Sequence, residues 1–313
     1  MRLPRHYLLP GAVLLVVTVT VTVTGCSSSS RPAATSGESA GVVRVVASTN
    51  VWGAIAAQVG GDHVAVTSFI SDPSQDPHSY EANTQNQLAL KKAGLVIENG
   101  GGYDDFMDTM VKAAENANAP VLNAVAISGK TAPAGGDLNE HVWYDLPTVT
   151  KVANQIAVTL SSLDKSNANQ FTANASAFAA SLTPITDQIA SIRQKHPDAP
   201  VVITEPVPGY LLDAAGLTNK TPKEFSKAIE EGTDMAPAVL QETLKLFSSK
   251  QVRALVYNEQ TTGVATEAVK KAATNAQIPV VPVTETMPDG KTYTIWMQGQ
   301  VGALAAALDT SQQ

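Results

Sequence analysis

Apolar positions recur along this chain in two alternating rhythms. Short β-branched runs at residues 42–47 (VVRVVA), 63–69, 95–98, 201–204 (VVIT), 252–257 (VRALVY) and 280–283 have the length and make-up of buried strands. Between them, segments 51–59, 83–92, 103–117, 210–215, 262–275 and 295–308 repeat apolar residues at helical spacing, and a further short strand falls at Val121 and Leu122. Such alternation predicts parallel βαβ units with both sheet faces covered. It runs once before residue 147 and again after residue 200. The expected fold is therefore α/β with two lobes, each a parallel sheet flanked by helices, and a cleft between them.

The middle of the chain reads differently. Residues 147–163 place Val149, Val152, Ile156, Leu160 and Leu163 on one helical face, and residues 167–196 do the same with Phe171, Phe178, Leu182, Ile185, Ile189 and Ile192. At 1.5 Å per residue the second stripe would make a helix of about 45 Å, longer than one small lobe. It reads as a stiff brace shared by both lobes. Pro184 must interrupt it, so a kink or break is expected near Ser181 to Pro184. Thr221-Pro222-Lys223-Glu224 has the form of a capping box with Pro in the first turn, opening a charged surface helix to about Glu231.

The first 41 residues follow neither rhythm. Arg2 and Arg5 precede an apolar run from Leu8 to Val23, short of the roughly 20 residues needed to span a bilayer. With small residues before Cys26, this is expected to be a signal peptide (residues 1–25) ending in a lipobox, with Cys26 as the lipidated residue. Residues 26–41 then form a flexible polar tether, and the rest divides into an N-terminal lobe (42–146), a helical connector (147–199) and a C-terminal lobe (200–313). The folded part is thereby expected outside the cytoplasm, on the outer face of a bacterial membrane, as a monomer.

Composition narrows the function. The 313 residues carry 21 Lys+Arg against 28 Asp+Glu, a formal charge of −7, which excludes a general nucleic-acid binder. A single cysteine excludes a disulfide framework and any cysteine-based zinc or iron–sulfur site. Ligands of open α/β sheets gather beyond the carboxyl ends of parallel strands. The residues found there are Asp76-Pro77-His78-Ser79-Tyr80-Glu81, Glu140-His141-Val142-Trp143-Tyr144-Asp145, Glu205 directly after VVIT, and Glu285 after the last strand. Two imidazoles and two carboxylates, His78, His141, Glu205 and Glu285, suit a divalent transition metal. Their wide spacing is no local motif, and each has a plainer reading as a cap, surface or loop residue. Asp289 rivals Glu285, Asp145 is expected to cap a helix beginning with Pro147, and His63 and His196 read as surface residues.

At these residues the chain resembles the metal-binding substrate receptors of bacterial zinc and manganese ABC importers, solute-binding protein family 9. The likeness runs from about Val43 to Leu308. Asp76-Pro77-His78-Ser79-Tyr80-Glu81 matches the family's D-P-H-x-Y-E, and His141 with its following aromatics and Asp145 matches the second motif. The resemblance implies His78 and His141 as ligands of one lobe, Glu205 as the third ligand, five residues before Tyr210, and Glu285 where the family usually has Asp. Two departures stand out. Residues 218–235 read as loop and helix where the family tends to have a strand, and residues 129–139 lack the His-rich loop common in zinc receptors. The implied function is capture of one divalent cation and delivery to a permease and ATPase. The oxygen-rich set favours Mn2+ over Zn2+, with Fe2+ third. The rivals are a metallohydrolase, for which no H-E-x-x-H or other local catalytic motif occurs, and an adhesion or scaffold lipoprotein.

Overall fold

A computed structural model describes residues 41–310 apart from positions 73 and 76. The signal, lipidation and tether expectations, Cys26 included, and Asp76 of the first motif lie outside the described residues. In chain order the elements are β1 (Val43–Thr49), α1 (Asn50–Gly60), β2 (Val64–Ile70), α2 (Thr84–Lys91), β3 (Leu95–Glu98), α3 (Phe106–Ala114), β4 (Val121–Asn123) and α4 (Ala124–Ser128). Three helices follow, α5 (Leu146–Leu163), α6 (Ala168–Ser181) and α7 (Thr183–Lys195). The remainder is β5 (Pro200–Ile203), α8 (Gly209–Ala214), β6 (Thr218–Asn219), α9 (Lys223–Glu230), α10 (Pro237–Ser248), β7 (Ala254–Asn258), α11 (Val264–Asn275), β8 (Val280–Val283) and α12 (Tyr293–Thr310).

The strands form two four-stranded sheets, in the orders β2-β1-β3-β4 and β6-β5-β7-β8. Every pairing is parallel, with Val45 opposite Leu95 in the first and Val201 opposite Ala254 in the second. The uninterrupted apolar runs have the cause expected of parallel sheets, since β3 and β7 are buried along their whole length. One apolar core runs through both lobes, from Val45, Trp52 and Ile97 through Trp143, Tyr144 and Phe178 to Val256, Trp296 and Leu304. Hydrogen bonds cross with it. Tyr293 donates to the Trp143 carbonyl at 2.7 Å, and the Asn50 amide pairs with the backbone of Met287 at 2.7 and 3.0 Å.

The long stripe breaks where Pro184 requires. α6 ends at Ser181, Leu182 caps it, and α7 begins with Pro184 in its first turn, where a missing N–H costs nothing. α6 packs on α5 and α1, whereas α7 packs on α12 and α8. The brace is thus two helices, each seated on its own sheet's surroundings.

Several expectations are corrected. The stretch after residue 217 does contain a strand, the two-residue β6, which is too short for periodicity to reveal. Thr221 does not cap α9. Its hydroxyl accepts the Ile203 N–H at 2.8 Å, supplying the ladder bond that so short a β6 cannot give. Pro222 takes the cap position instead. The helix expected over residues 103–117 is confined to Phe106–Ala114, ended by Glu115 in the left-handed region at φ 53°. His196 is not a surface residue: it is 3% exposed, covered by α12, and its Nε2 lies 2.9 Å from Asp309. Asp145 caps α5 as expected, accepting the Thr148 N–H at 3.1 Å.

Candidate metal centre

Both sheets point their carboxyl ends at one cleft of about 950 Å³ between the lobes. His78 enters it from the short helical turn Pro77–Ser79 that follows β2. His141 immediately precedes the turn Val142–Tyr144 leading into α5. Glu205 stands two residues past β5, and Glu285 two residues past β8. All four line the cleft, and His141, Glu205 and Glu285 are buried, at 1%, 4% and 9% exposure. Asp289 is exposed and is not among the lining residues.

The first lobe holds its imidazoles through a glycine turn and an aromatic wedge. Gly100, Gly101 and Gly102 follow β3 with φ between 75° and 97°, a conformation side chains disfavour. At Gly100 an added Cβ would also lie 2.1 Å from the Asn123 amide. The turn lets Asp104 accept the N–H groups of Asn99 and Gly100, both at 2.7 Å, and swings Tyr103 into the cleft. The Tyr103 ring stands edge-on to His78 and His141, with centroids 5.3 and 5.7 Å away. Its hydroxyl donates to Glu285 at 3.2 Å, tying the lobes together.

Asn139 fixes the orientation of His141. Its Oδ1 accepts the His141 backbone N–H at 3.0 Å and lies 2.8 Å from Nδ1, while its Nδ2 donates to the Pro206 carbonyl at 3.0 Å. An amide oxygen can only accept, so Nδ1 carries the proton and Nε2 keeps its lone pair. Burial, then the charge of His78, push His141 down to about 3, which keeps the ring neutral. A neutral imidazole is the form that ligates a metal.

The second lobe holds its carboxylates through an amide. The Nδ2 of Asn258, the last residue of β7, donates to Glu205 and, at 2.7 Å, to Glu285. Gln260 accepts the backbone N–H groups of Glu285 and Thr286 at 2.6 and 2.9 Å. Sequence reasoning left out Tyr103, Asn258 and Gln260. Asn258 was within reach of the strand-end rule, which applies to β7 as it does to β5 and β8.

Four further acids line the cleft, Asp137, Glu140, Glu230 and Glu231, and none is in the expected ligand set. Among the described residues, the group whose ligand atoms all lie within 4.8 Å of one another is His78, Glu140 and Glu230. Glu140 Oε1 is 3.8 Å from His78 Nε2. Glu230 Oε1 is 3.8 Å from His141 Nδ1, and burial, then the neighbouring glutamates, push its carboxyl up to about 9. Since Glu230 ends α9 and points inward, that helix is no plain surface element: Phe225, Ser226 and Ala228 are buried as well.

Comparison with known proteins agrees with this architecture. The manganese-binding lipoprotein MntA of Bacillus subtilis (strain 168) is 25% identical over 271 residues, covering 84% of this chain and 85% of the relative. The solved structure of FpvC from Pseudomonas aeruginosa in complex with Mn2+ superposes with a TM-score of 0.73 at 22% identity, covering 86% of this chain and 99% of that one. The periplasmic zinc-binding protein TroA from Treponema pallidum gives 0.73 at 18% identity, covering 86% and 99%. Residues 45–307 match the family described as ZnuA, zinc-uptake complex component A, periplasmic, and the chain belongs to that family.

Proposed function

We propose that this protein is the extracytoplasmic substrate-binding component of an ABC metal importer, which captures one divalent transition-metal ion between its lobes and hands it to a membrane permease. The observation that carries the reading is the meeting, in one cleft, of two imidazoles from one lobe and two carboxylates from the other. His78 and His141 receive the ion through ring nitrogens, and Glu205 and Glu285 close on it from the far side. Two neutral rings and two carboxylates balance the 2+ charge of one ion. The ion is cargo and no bond is made or broken, which sets this reading apart from hydrolysis. Oxygen donors make up half of the set, which suits Mn2+ better than an imidazole-rich set would, with Zn2+ next. Cys26 anchors the chain to the outer face of the membrane by its lipid, and the chain acts as a monomer beside its permease and ATPase.

The test is to unfold the protein, strip it with chelator, refold it, and add Mn2+, Zn2+ or Fe2+ singly. One ion per chain and a raised melting temperature are expected. At an ion concentration a hundred times Kd the gain is about 2.7 kcal/mol, or roughly 5–10 °C for a chain of this size. His78→Ala and Glu205→Ala should each remove both effects. Wild-type protein that binds no ion, or turnover of an ester or peptide that chelator abolishes, would end the reading.

A further inference from the structure

Glu230 sits where no plain structural role explains it. Its Oε1 is buried and has no hydrogen-bond partner, although the side chain as a whole keeps 17% of its surface exposed. A buried carboxyl oxygen without a hydrogen-bond partner is costly unless something else satisfies it. Glu230 belongs to the group with His78 and Glu140 whose ligand atoms all lie within 4.8 Å of one another. Atoms bound to one ion at about 2.0–2.2 Å stand roughly 3–4.4 Å apart, so a 4.8 Å limit exceeds a coordination shell only slightly.

The placement of α9 adds a second, independent observation. One turn before Glu230, Lys227 reaches across the mouth of the cleft to Asp137 at 2.6 Å. Asp137 lies in the loop just before Asn139 and His141, so the pair joins α9 to the lobe that carries the imidazoles. Phe225, fully buried, pins the other side of the helix to the second lobe's core. The helix is held from both sides with its last residue directed at the histidines.

We propose that Glu230 is a metal-contacting residue that adds a third carboxylate to the two imidazoles and two carboxylates of the proposed site, and that it favours Mn2+ over Zn2+. The proposal rests on the metal-capture reading above. Its physical basis is coordination number. Zn2+ is content with four tetrahedral ligands, whereas Mn2+ takes more ligands and prefers oxygen. Removing a fifth ligand therefore costs Mn2+ more than Zn2+.

The experiment measures Mn2+ and Zn2+ affinities of the full chain by competition against a chelating dye, for wild type, Glu230→Gln and Glu230→Asp. It is paired with a crystal structure of the Mn2+-loaded wild type. We expect Glu230→Gln to weaken Mn2+ at least tenfold and Zn2+ less than threefold, Glu230→Asp to fall between, and a Glu230 oxygen within 2.5 Å of the ion. Unchanged Mn2+ affinity in Glu230→Gln, equal losses for both metals, or a Glu230 oxygen beyond 3.5 Å would each overturn the proposal. The loaded structure decides the matter even if Glu230→Gln does not fold. Wild-type protein that binds no ion at all would instead sink the capture reading itself, so the two failures are distinguishable.

Discussion

At the scale of single residues, the cleft is held ready by neighbours that fix protons and charges before any ion arrives. His141 is the clearest case, since its proton is settled by Asn139 and its neutrality by burial. Its value near 3 lies below the ordinary histidine value of 6.5. Below pH 6.5 the unfolded chain takes up a proton that the folded chain refuses, so this group's stability is intact above pH 6.5 and drains away toward pH 3. The slope is about 1.4 kcal/mol per pH unit within that window. Urea unfolding of metal-free protein between pH 7 and pH 4 should show that decline, and His141→Gln should flatten it. An unchanged slope in the variant would show that other groups carry the acid sensitivity. Asn258 does for the carboxylates what Asn139 does for the ring, because one amide faces both Glu205 and Glu285. Asn258→Ala removes two charge-assisted bonds and leaves two buried acids side by side. The metal-free protein should lose roughly 2–4 kcal/mol in urea melts. The loss should shrink with saturating ion, which can bridge the same two carboxylates, and an equal loss in both states would contradict that role.

At the scale of elements, what could be read from the sequence was what has a period. β1, β3, β5, β7 and β8 are apolar runs, and α5 to α7 carry long stripes, so their positions and the break at Pro184 were legible. β6 was not, because two residues cannot alternate. α10 received no assignment either, since it buries only Thr243 and Phe247 fully and so shows a weak stripe. The inward turn of Glu230 escaped for a related reason: a helix written KEFSKAIE looks like a solvated surface, and only the docked fold shows which end enters the cleft. The candidate ligands were picked out by their place after strands and by the D-P-H motif, while Tyr103 and Asn258 belong to no motif. Thr221 illustrates how local chemistry fills a gap in an element. Its hydroxyl stands in for the next residue of β6, immediately before the Glu205 turn. Thr221→Val keeps the shape and removes the acceptor, leaving the buried Ile203 N–H unmatched, which should cost about 1–3 kcal/mol by urea unfolding. A change within 0.5 kcal/mol would mean that another acceptor replaces it.

At the scale of the whole molecule, the question is how far two lobes can move when they share a core. The apolar cluster is continuous from one sheet to the other, and Tyr144, Tyr293 and Asn50 bind across the boundary away from the cleft. Opening the lobes widely would strip Trp143, Tyr293 and Trp296 of their packing, at about 25 cal/mol for each Å² exposed to water. The link across the cleft's rim, from α9 to the loop before His141, is by contrast an exposed pair, Lys227 and Asp137 at 50% and 79% exposure. An exposed pair of this kind contributes at most about 1 kcal/mol, so it can part and re-form within the working cycle. Closure is therefore expected to be local, a matter of the cleft's rim and not of a swinging lobe. Amide hydrogen exchange with and without saturating Mn2+ tests this directly. Protection should rise at residues 77–81, 129–141 and 221–232 and stay level through α5, α6 and α7. A gain in protection along those three helices would mean that the brace itself bends, and the shared core could not then be the element that limits the motion.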